Sequence, residues 1–258
     1  MGGGGFTMEP SNPLLDDFVL SLAGADEPRI LFLPTASGDT SDQINAFKAR
    51  FHGRMCVHEH VSLFRMREAK RSLQETIAHQ DVIYVGGGSM RNLLALWRAH
   101  ELDDMLLRAW RSGTVLAGLS AGAMCWFQGG VTRSSGPPEV IDGLCILPGS
   151  LTVHADGEPE RLPVWLSAVR AGELPGGWAL DDGVGMLMEG ERPARIVSSR
   201  PGAGAERADA VAGELVRRRI HPELLGGTAF GLSTGHDEAV HEMREHRRMR
   251  QRRDGAGG

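Results

Sequence analysis

Apolar residues in this chain fall into short unbroken runs, each followed by a stretch in which they recur every three or four positions. Residues 29–33 (RILFL), 81–85 (DVIYV) and 114–119 (TVLAGL) are such runs, and their lack of polar alternation marks strands buried on both faces. Residues 57–63 read as a further strand. Between them lie Leu14, Leu15, Phe18, Val19 and Leu22 at helical spacing behind Pro13, a helix ending at Phe51, one over 72–79, and one from Arg91 to about Arg111. Strands alternating with helices predict βαβ units, and so an α/β fold whose mostly parallel sheet carries helices on both faces.

The second half is less regular. Residues 123–127 read as a short helix, 129–149 as a Gly-, Pro- and Ser-rich loop with one short strand, 159–169 as a helix, and 178–187 as a strand broken by Asp181, Asp182 and Gly183. Residues 194–199 and 214–220 are expected to form an antiparallel pair joined by a Gly/Ala/Asp loop. Beyond Gly235 the positions are polar, and residues 241–258 set six Arg against Glu242, Glu245 and Asp254. The expected organisation is one α/β domain over 1–240 followed by an Arg-rich tail over 241–258.

Composition narrows the partners. With 258 residues, 41% hydrophobic and 24% charged, the chain is long enough to bury a core without metal or disulfide staples. A net charge of −5 provides no basic field, so a small substrate is expected and nucleic acid is not. Cys56, Cys125 and Cys145 form no CxxC and are expected to be reduced thiols. No apolar run has the length of a membrane helix and the start lacks the pattern of a signal peptide, so a cytoplasmic location and no membrane partner are expected. Trp97, Trp110 and Trp126 sit at helical, largely apolar positions and read as core.

Glycine is in excess, at 35 residues, and its clusters point to chemistry. Gly118-Leu119-Ser120-Ala121-Gly122 is a G-x-S-x-G sequence between an expected strand and an expected helix, the context of a nucleophile elbow. The serine of such a turn has a strained backbone, and side chains at its flanking positions would collide with the strand and helix. The Ala121 N–H would face a developing oxyanion at the helix start. Gly86, Gly87 and Gly88 end the preceding strand; in a parallel sheet both turns meet at one carboxyl edge, where the glycine run offers unobstructed N–H groups. It lacks the Lys-Ser/Thr of a phosphate loop. His154, just after an apolar run, leads the candidates for base, ahead of His58, His60 and His221. Asp182, at a strand end, would orient it, with Asp181 as competitor.

At these residues the chain resembles the peptidase S51 family, the peptidase E (aspartyl dipeptidase) group that includes cyanophycinases. The stretches that carry the likeness are LFLPTASGD (31–39), VGGGSMRNLL (85–94), GLSAGAMCWFQGGVT (118–132), LPGSLTVHADGEPER (147–161) and LDDG (180–183). The resemblance implies a sandwich of the class I glutamine amidotransferase type, with Ser120 as nucleophile, His154 as base, Asp182 as acidic member, and Gly88 and Ala121 at the oxyanion hole. It implies no metal or other cofactor, a short peptide as partner, and a monomer or homodimer. The expected activity is hydrolysis of dipeptides with an N-terminal Asp; the alternatives are a cyanophycinase-like hydrolase of β-Asp-Arg peptides and a catalytically silent member with a binding role. For the substrate carboxylate the candidates are Arg161 and Arg133, and for its amine Glu158 or Asp156.

Three departures stand out. Arg133 occupies a place where relatives often carry an acid, and Val153-His154-Ala155-Asp156 replaces the common P-H-Y-D. The family usually leads into Gly2 to Gly5 with a strand, so a gap or exposed edge is expected beside the sheet.

Overall fold

The computed structural model describes residues 1–68 and 70–226. Its first half contains α1 (Gly5–Met8), α2 (Leu14–Ser21), β1 (Arg29–Leu33), α3 (Ser41–Phe51), β2 (Val57–His60), α4 (Leu73–Ala78), β3 (Val82–Val85), α5 (Met90–Ala99), α6 (Leu102–Arg111) and β4 (Val115–Gly118). The rest contains α7 (Ala121–Met124), β5 (Phe127–Thr132), β6 (Glu139–Asp142), β7 (Leu147–Thr152), α8 (Arg161–Ala171), β8 (Gly177–Leu180), β9 (Val184–Glu189), β10 (Arg192–Ser198), β11 (Ala205–Val211), β12 (Glu214–Ile220) and β13 (Glu223–Leu224). The residues expected to form the Arg-rich tail, and the end of the expected domain, lie outside the described residues.

The first four strands form a parallel sheet in the order β2-β1-β3-β4. The period of two explains its unbroken apolar strands. Ile30, Phe32, Val82 and Tyr84 turn to one face, where they meet Val19, Phe47 and Phe51 of α2 and α3. Leu31, Leu33, Ile83 and Val85 turn to the other, where they meet Ile77, Leu93, Trp97 and Leu106 of α4 to α6. Trp97 and Trp126 are core residues as expected, their ring centroids 5.7 Å apart.

A six-stranded sheet, β12-β11-β8-β7-β5-β6, and a three-stranded one, β13-β10-β9, complete the fold. Parallel pairing holds for β5–β7–β8, while β6, β11 and β12 run antiparallel to their neighbours. The architecture is mixed α/β with a parallel central sheet, and the second half is more antiparallel than the first.

Four local expectations are corrected. The helix from Arg91 to Arg111 is two helices, α5 and α6, separated at Glu101, whose φ of 53° breaks the helical path. Residues 129–149 form three strands because their glycines serve close approach, not a loop. A Cβ on Gly130 would lie 2.1 Å from the Leu151 carbonyl oxygen of the neighbouring strand. Residues 194–199 and 214–220 do not pair with each other: β10 joins β9, and β12 joins β11, which lies in the Gly/Ala/Asp stretch taken for a loop. There the small Ala205 and Ala208 are fully buried. The short helix expected over 123–127 is α7, and Phe127 already begins β5.

The chain start runs between the two halves. Met1 accepts a hydrogen bond from Ser120 N–H (3.1 Å), Gly2 N–H donates to the Val184 carbonyl (2.8 Å), and Gly183 N–H donates to the Gly3 carbonyl (3.1 Å). An apolar cavity of about 350 Å³ lies beside Met1, walled by Leu116, Trp126, Met186 and Met188 among others. Phe6 anchors the end of the glycine run, its ring 5.3 Å from that of Phe32 and 5.2 Å from that of Tyr84. Beneath it the buried Asp16 accepts the Tyr84 hydroxyl (2.9 Å) and pairs with Arg50 Nε (2.9 Å). Burial raises the Asp16 carboxyl to about 6, against the pull of Tyr84 and Arg50.

Candidate active site

Ser120 stands between β4 and α7 with φ 51° and ψ −113°, a region costly for a residue with a side chain. Its two flanking glycines hold it there. A Cβ on Gly118 would lie 1.9 Å from the Gly122 carbonyl oxygen, and one on Gly122 would lie 2.5 Å from that of Val85. The G-x-S-x-G spacing therefore has a steric cause: strand, turn and helix approach too closely for any other residue at its ends.

His154 follows β7 with a φ of 56°, and its ring reaches Ser120: Nε2 lies 2.9 Å from Oγ. On the other side Nδ1 lies 2.5 Å from Asp182 Oδ1. Asp182 is thereby distinguished from Asp181, which is buried and receives Arg219 and the Gly204 N–H (2.8 Å). The hydrogen bond from His154 holds the Asp182 carboxyl below the usual carboxylate range, helped by the charges of Arg200 and Arg161 and opposed by burial.

The structure also supplies parts that the sequence reading missed. Arg200, in the turn after β10, donates from Nε to the Asp182 carbonyl (2.8 Å) and pairs with Asp156. Asp156 in turn accepts the Asp182 N–H (2.8 Å), so these two side chains clamp the Asp182 backbone on both sides. Asp156 is thus engaged by Arg200 and the Asp182 backbone. Gly3 closes the other flank: a Cβ there would lie 2.1 Å from Asp182 Oδ1 and 2.8 Å from His154 Cε1. Nothing in the sequence near Arg200 marks it, whereas the glycine run was visible and its target was not.

The turn after β3 lies where expected. A Cβ on Gly87 would be 3.2 Å from that of Ser120, and Gly88 has φ 140° with Ala36 O in the place of any side chain. Ala121 opens α7 directly after Ser120, and Gly87 of the glycine run packs against that same turn.

Arg161, Arg133 and Glu158 come together at the start of α8. Glu158 Oε2 receives Arg161 Nε (3.0 Å) and Nη2 (2.9 Å), with Arg133 Nη1 at 3.7 Å. Arg161 is buried at 5% exposure, and its Nη1 has no hydrogen-bond partner. A solvated surface position, the alternative open from sequence, is excluded. The Glu158 N–H donates to the His154 carbonyl (2.8 Å), tying the cluster to the histidine. His58 and His60 lie on β2 and His221 precedes β13, none of them in contact with Ser120. Cys56, Cys125 and Cys145 are free thiols. Among the described residues no helix is long and apolar enough to cross a membrane.

The sequence profile of peptidase family S51 matches residues 1–196. An uncharacterized peptidase, YgaJ, of Bacillus subtilis (strain 168) is 43% identical over 226 residues, covering 88% of this chain and 97% of that protein. The crystal structure of a peptidase from an acI-B1 Actinobacterium superposes with a TM-score of 0.61 at 16% identity, over 90% of this chain and 95% of the other. That second likeness is one of fold, the α/β sandwich of the class I glutamine amidotransferase type. With a profile match over most of its length and a relative of this identity, the chain belongs to peptidase family S51.

Proposed function

We propose that the protein is a serine peptidase that hydrolyses dipeptides with an N-terminal Asp. The observation that carries this reading is the hydrogen-bonded row Ser120 Oγ to His154 Nε2 (2.9 Å) and His154 Nδ1 to Asp182 Oδ1 (2.5 Å), on a strained turn at a helix start. Ser120 Oγ attacks the peptide carbonyl while His154 Nε2 takes its proton. Asp182 keeps the other ring proton on Nδ1 and stabilises the imidazolium. The oxyanion receives the Gly88 and Ala121 N–H groups. His154 then passes its proton to the leaving amine, and a water repeats the sequence on the acyl-enzyme.

The side-chain carboxylate of the substrate is assigned to Arg161 and Arg133, and its α-amine to Glu158. Two guanidiniums share one carboxylate here, and Arg161 Nη1 is buried without a partner, so the cluster is short of an anion. That shortage favours an acidic substrate over a β-Asp-Arg peptide. Against a panel of Asp-X and neutral dipeptides, release of free amino acid is expected from Asp-X alone. Arg161→Gln is expected to raise KM for Asp-X by ~10-fold or more. Equal cleavage of neutral dipeptides would refute the specificity and leave the serine chemistry standing.

Gly3→Ala tests the packing of the His154–Asp182 pair. The added methyl must displace the pair, and a shift of ~1 Å is expected to lower kcat by ~10²-fold. Steady-state kinetics beside a thermal melt will show whether activity falls further than stability does.

A further inference from the structure

Gly86, Gly87 and Gly88 carry no side chains, so nothing in their own chemistry fixes which way each peptide faces. Three outside contacts pin the turn. Gly86 N–H donates to the Leu33 carbonyl (3.0 Å), and Ser89 N–H donates to the Ala36 carbonyl (2.7 Å). The third comes from Gln43, in the first turn of α3, whose Nε2 donates to the Gly87 carbonyl at 3.1 Å. Of the three, this one acts on the Gly87–Gly88 peptide itself. In a trans peptide the carbonyl and the following N–H point in opposite directions. Holding the Gly87 oxygen toward α3 therefore holds the Gly88 N–H away from it.

We infer that Gln43 is a positioning residue that sets the Gly88 half of the oxyanion hole, an inference that rests on the serine-peptidase reading. The orientation of its amide follows from the partner: a reversed Gln43 would set oxygen against the Gly87 oxygen. Its Oε1 is buried with no hydrogen-bond partner and lies 2.7 Å from where a Gly86 Cβ would be, so the side chain is wedged against the turn by one strong contact only. A buried acceptor left unsatisfied is costly, and the donation to Gly87 is the contact that the side chain makes in return. Gly88, at φ 140° with a Cβ position 2.2 Å from Ala36 O, has no bulk of its own to resist a flip of the preceding peptide.

The test compares Gln43→Leu, Gln43→Glu and Gln43→Lys with the wild-type protein on the best substrate of the dipeptide panel. Leu removes the donor, and kcat is expected to fall ~10-fold with KM unchanged. Glu sets a carboxylate against the Gly87 carbonyl, turns the peptide over, and is expected to cost ~10²-fold in kcat. Lys restores a donor and is expected to recover most of the loss. Affinity for a peptide boronic acid, which places an oxyanion at the site, is expected to fall in the same ratio as kcat. Crystal structures of the Leu and Glu variants read the Gly87–Gly88 peptide plane directly, independent of turnover, and melts confirm that each is folded. Wild-type-like kcat in all three variants, or an unturned plane with full boronic acid affinity in Gln43→Glu, overturns the role of Gln43 and leaves the peptidase reading intact. A folded wild-type protein that cleaves no peptide and whose Ser120 takes no fluorophosphonate overturns both.

Discussion

Ser120→Ala is expected to reduce dipeptide hydrolysis by ~10⁶-fold, leaving only what the oxyanion donors and substrate binding contribute. In the proposed mechanism the Ser120 oxygen forms the acyl-enzyme and leaves when water cleaves it, and among the described residues no other nucleophile lies against His154 Nε2. The variant should remain folded. Its strained φ of 51° is imposed by the close packing of Gly118 and Gly122, not by the serine hydroxyl, and alanine tolerates that conformation no worse. An unchanged melting temperature with lost turnover and lost fluorophosphonate labelling is the expected pair of results. Residual activity within ~100-fold of wild type would place the nucleophile elsewhere and end the mechanism proposed here.

Asp182→Asn is expected to cost ~10⁴-fold in kcat, with a smaller effect on KM. The carboxylate accepts from His154 Nδ1, which leaves Nε2 bare to take the Ser120 proton. An asparagine amide can donate to Nδ1 instead, which puts the ring proton on Nε2 and closes the only route for the serine proton. The same substitution carries a pH signature in stability. The Asp182 carboxyl lies below its unfolded value because His154 and Arg200 favour its charged form. Its contribution is therefore present above the unfolded carboxylate range and is lost as the pH falls through the lower, folded value. Denaturant melts of wild type and Asp182→Asn should differ most near neutrality and converge under acid. A gap that widens in acid would mean that the carboxyl is held protonated by burial.

The likeness to YgaJ adds identity without adding a substrate, since that peptidase is itself uncharacterized. What distinguishes the acidic-dipeptide reading is local: Arg161 is buried, paired with Glu158, and one guanidinium nitrogen short of partners. The departures in sequence also find places. Arg133 reaches the same Glu158, so the reversed charge relative to many family members enters the cluster beside the histidine. Val153 is fully buried, and Asp156 retains a structural duty on the Asp182 backbone.

The strand runs, the G-x-S-x-G turn, the glycine run after β3 and the prominence of His154 were legible because each depends on local chemistry: burial on both faces, strand–helix closeness, or a backbone that must stay bare. Asp182 was legible with Asp181 as its competitor, and only the fold separates the two, setting Asp182 against His154 and Asp181 against Arg219 and the Gly204 N–H. The pairing of β10 with β9 and β12 with β11 was not legible, since a strand of small residues such as Ala205 and Ala208 has no apolar signature until neighbours cover it. Sequence by itself determined the family, the α/β class and the residue types that the chemistry needs. Tertiary structure alone showed that Asp181 is engaged elsewhere, that Arg161 is buried against Glu158, and that Arg200, Gly3 and Gln43 contact Asp182, the His154–Asp182 pair and the Gly87 carbonyl. Those contacts join residues as much as 179 positions apart, as Gly3 and Asp182 are, and no local pattern of the chain encodes a distance of that kind.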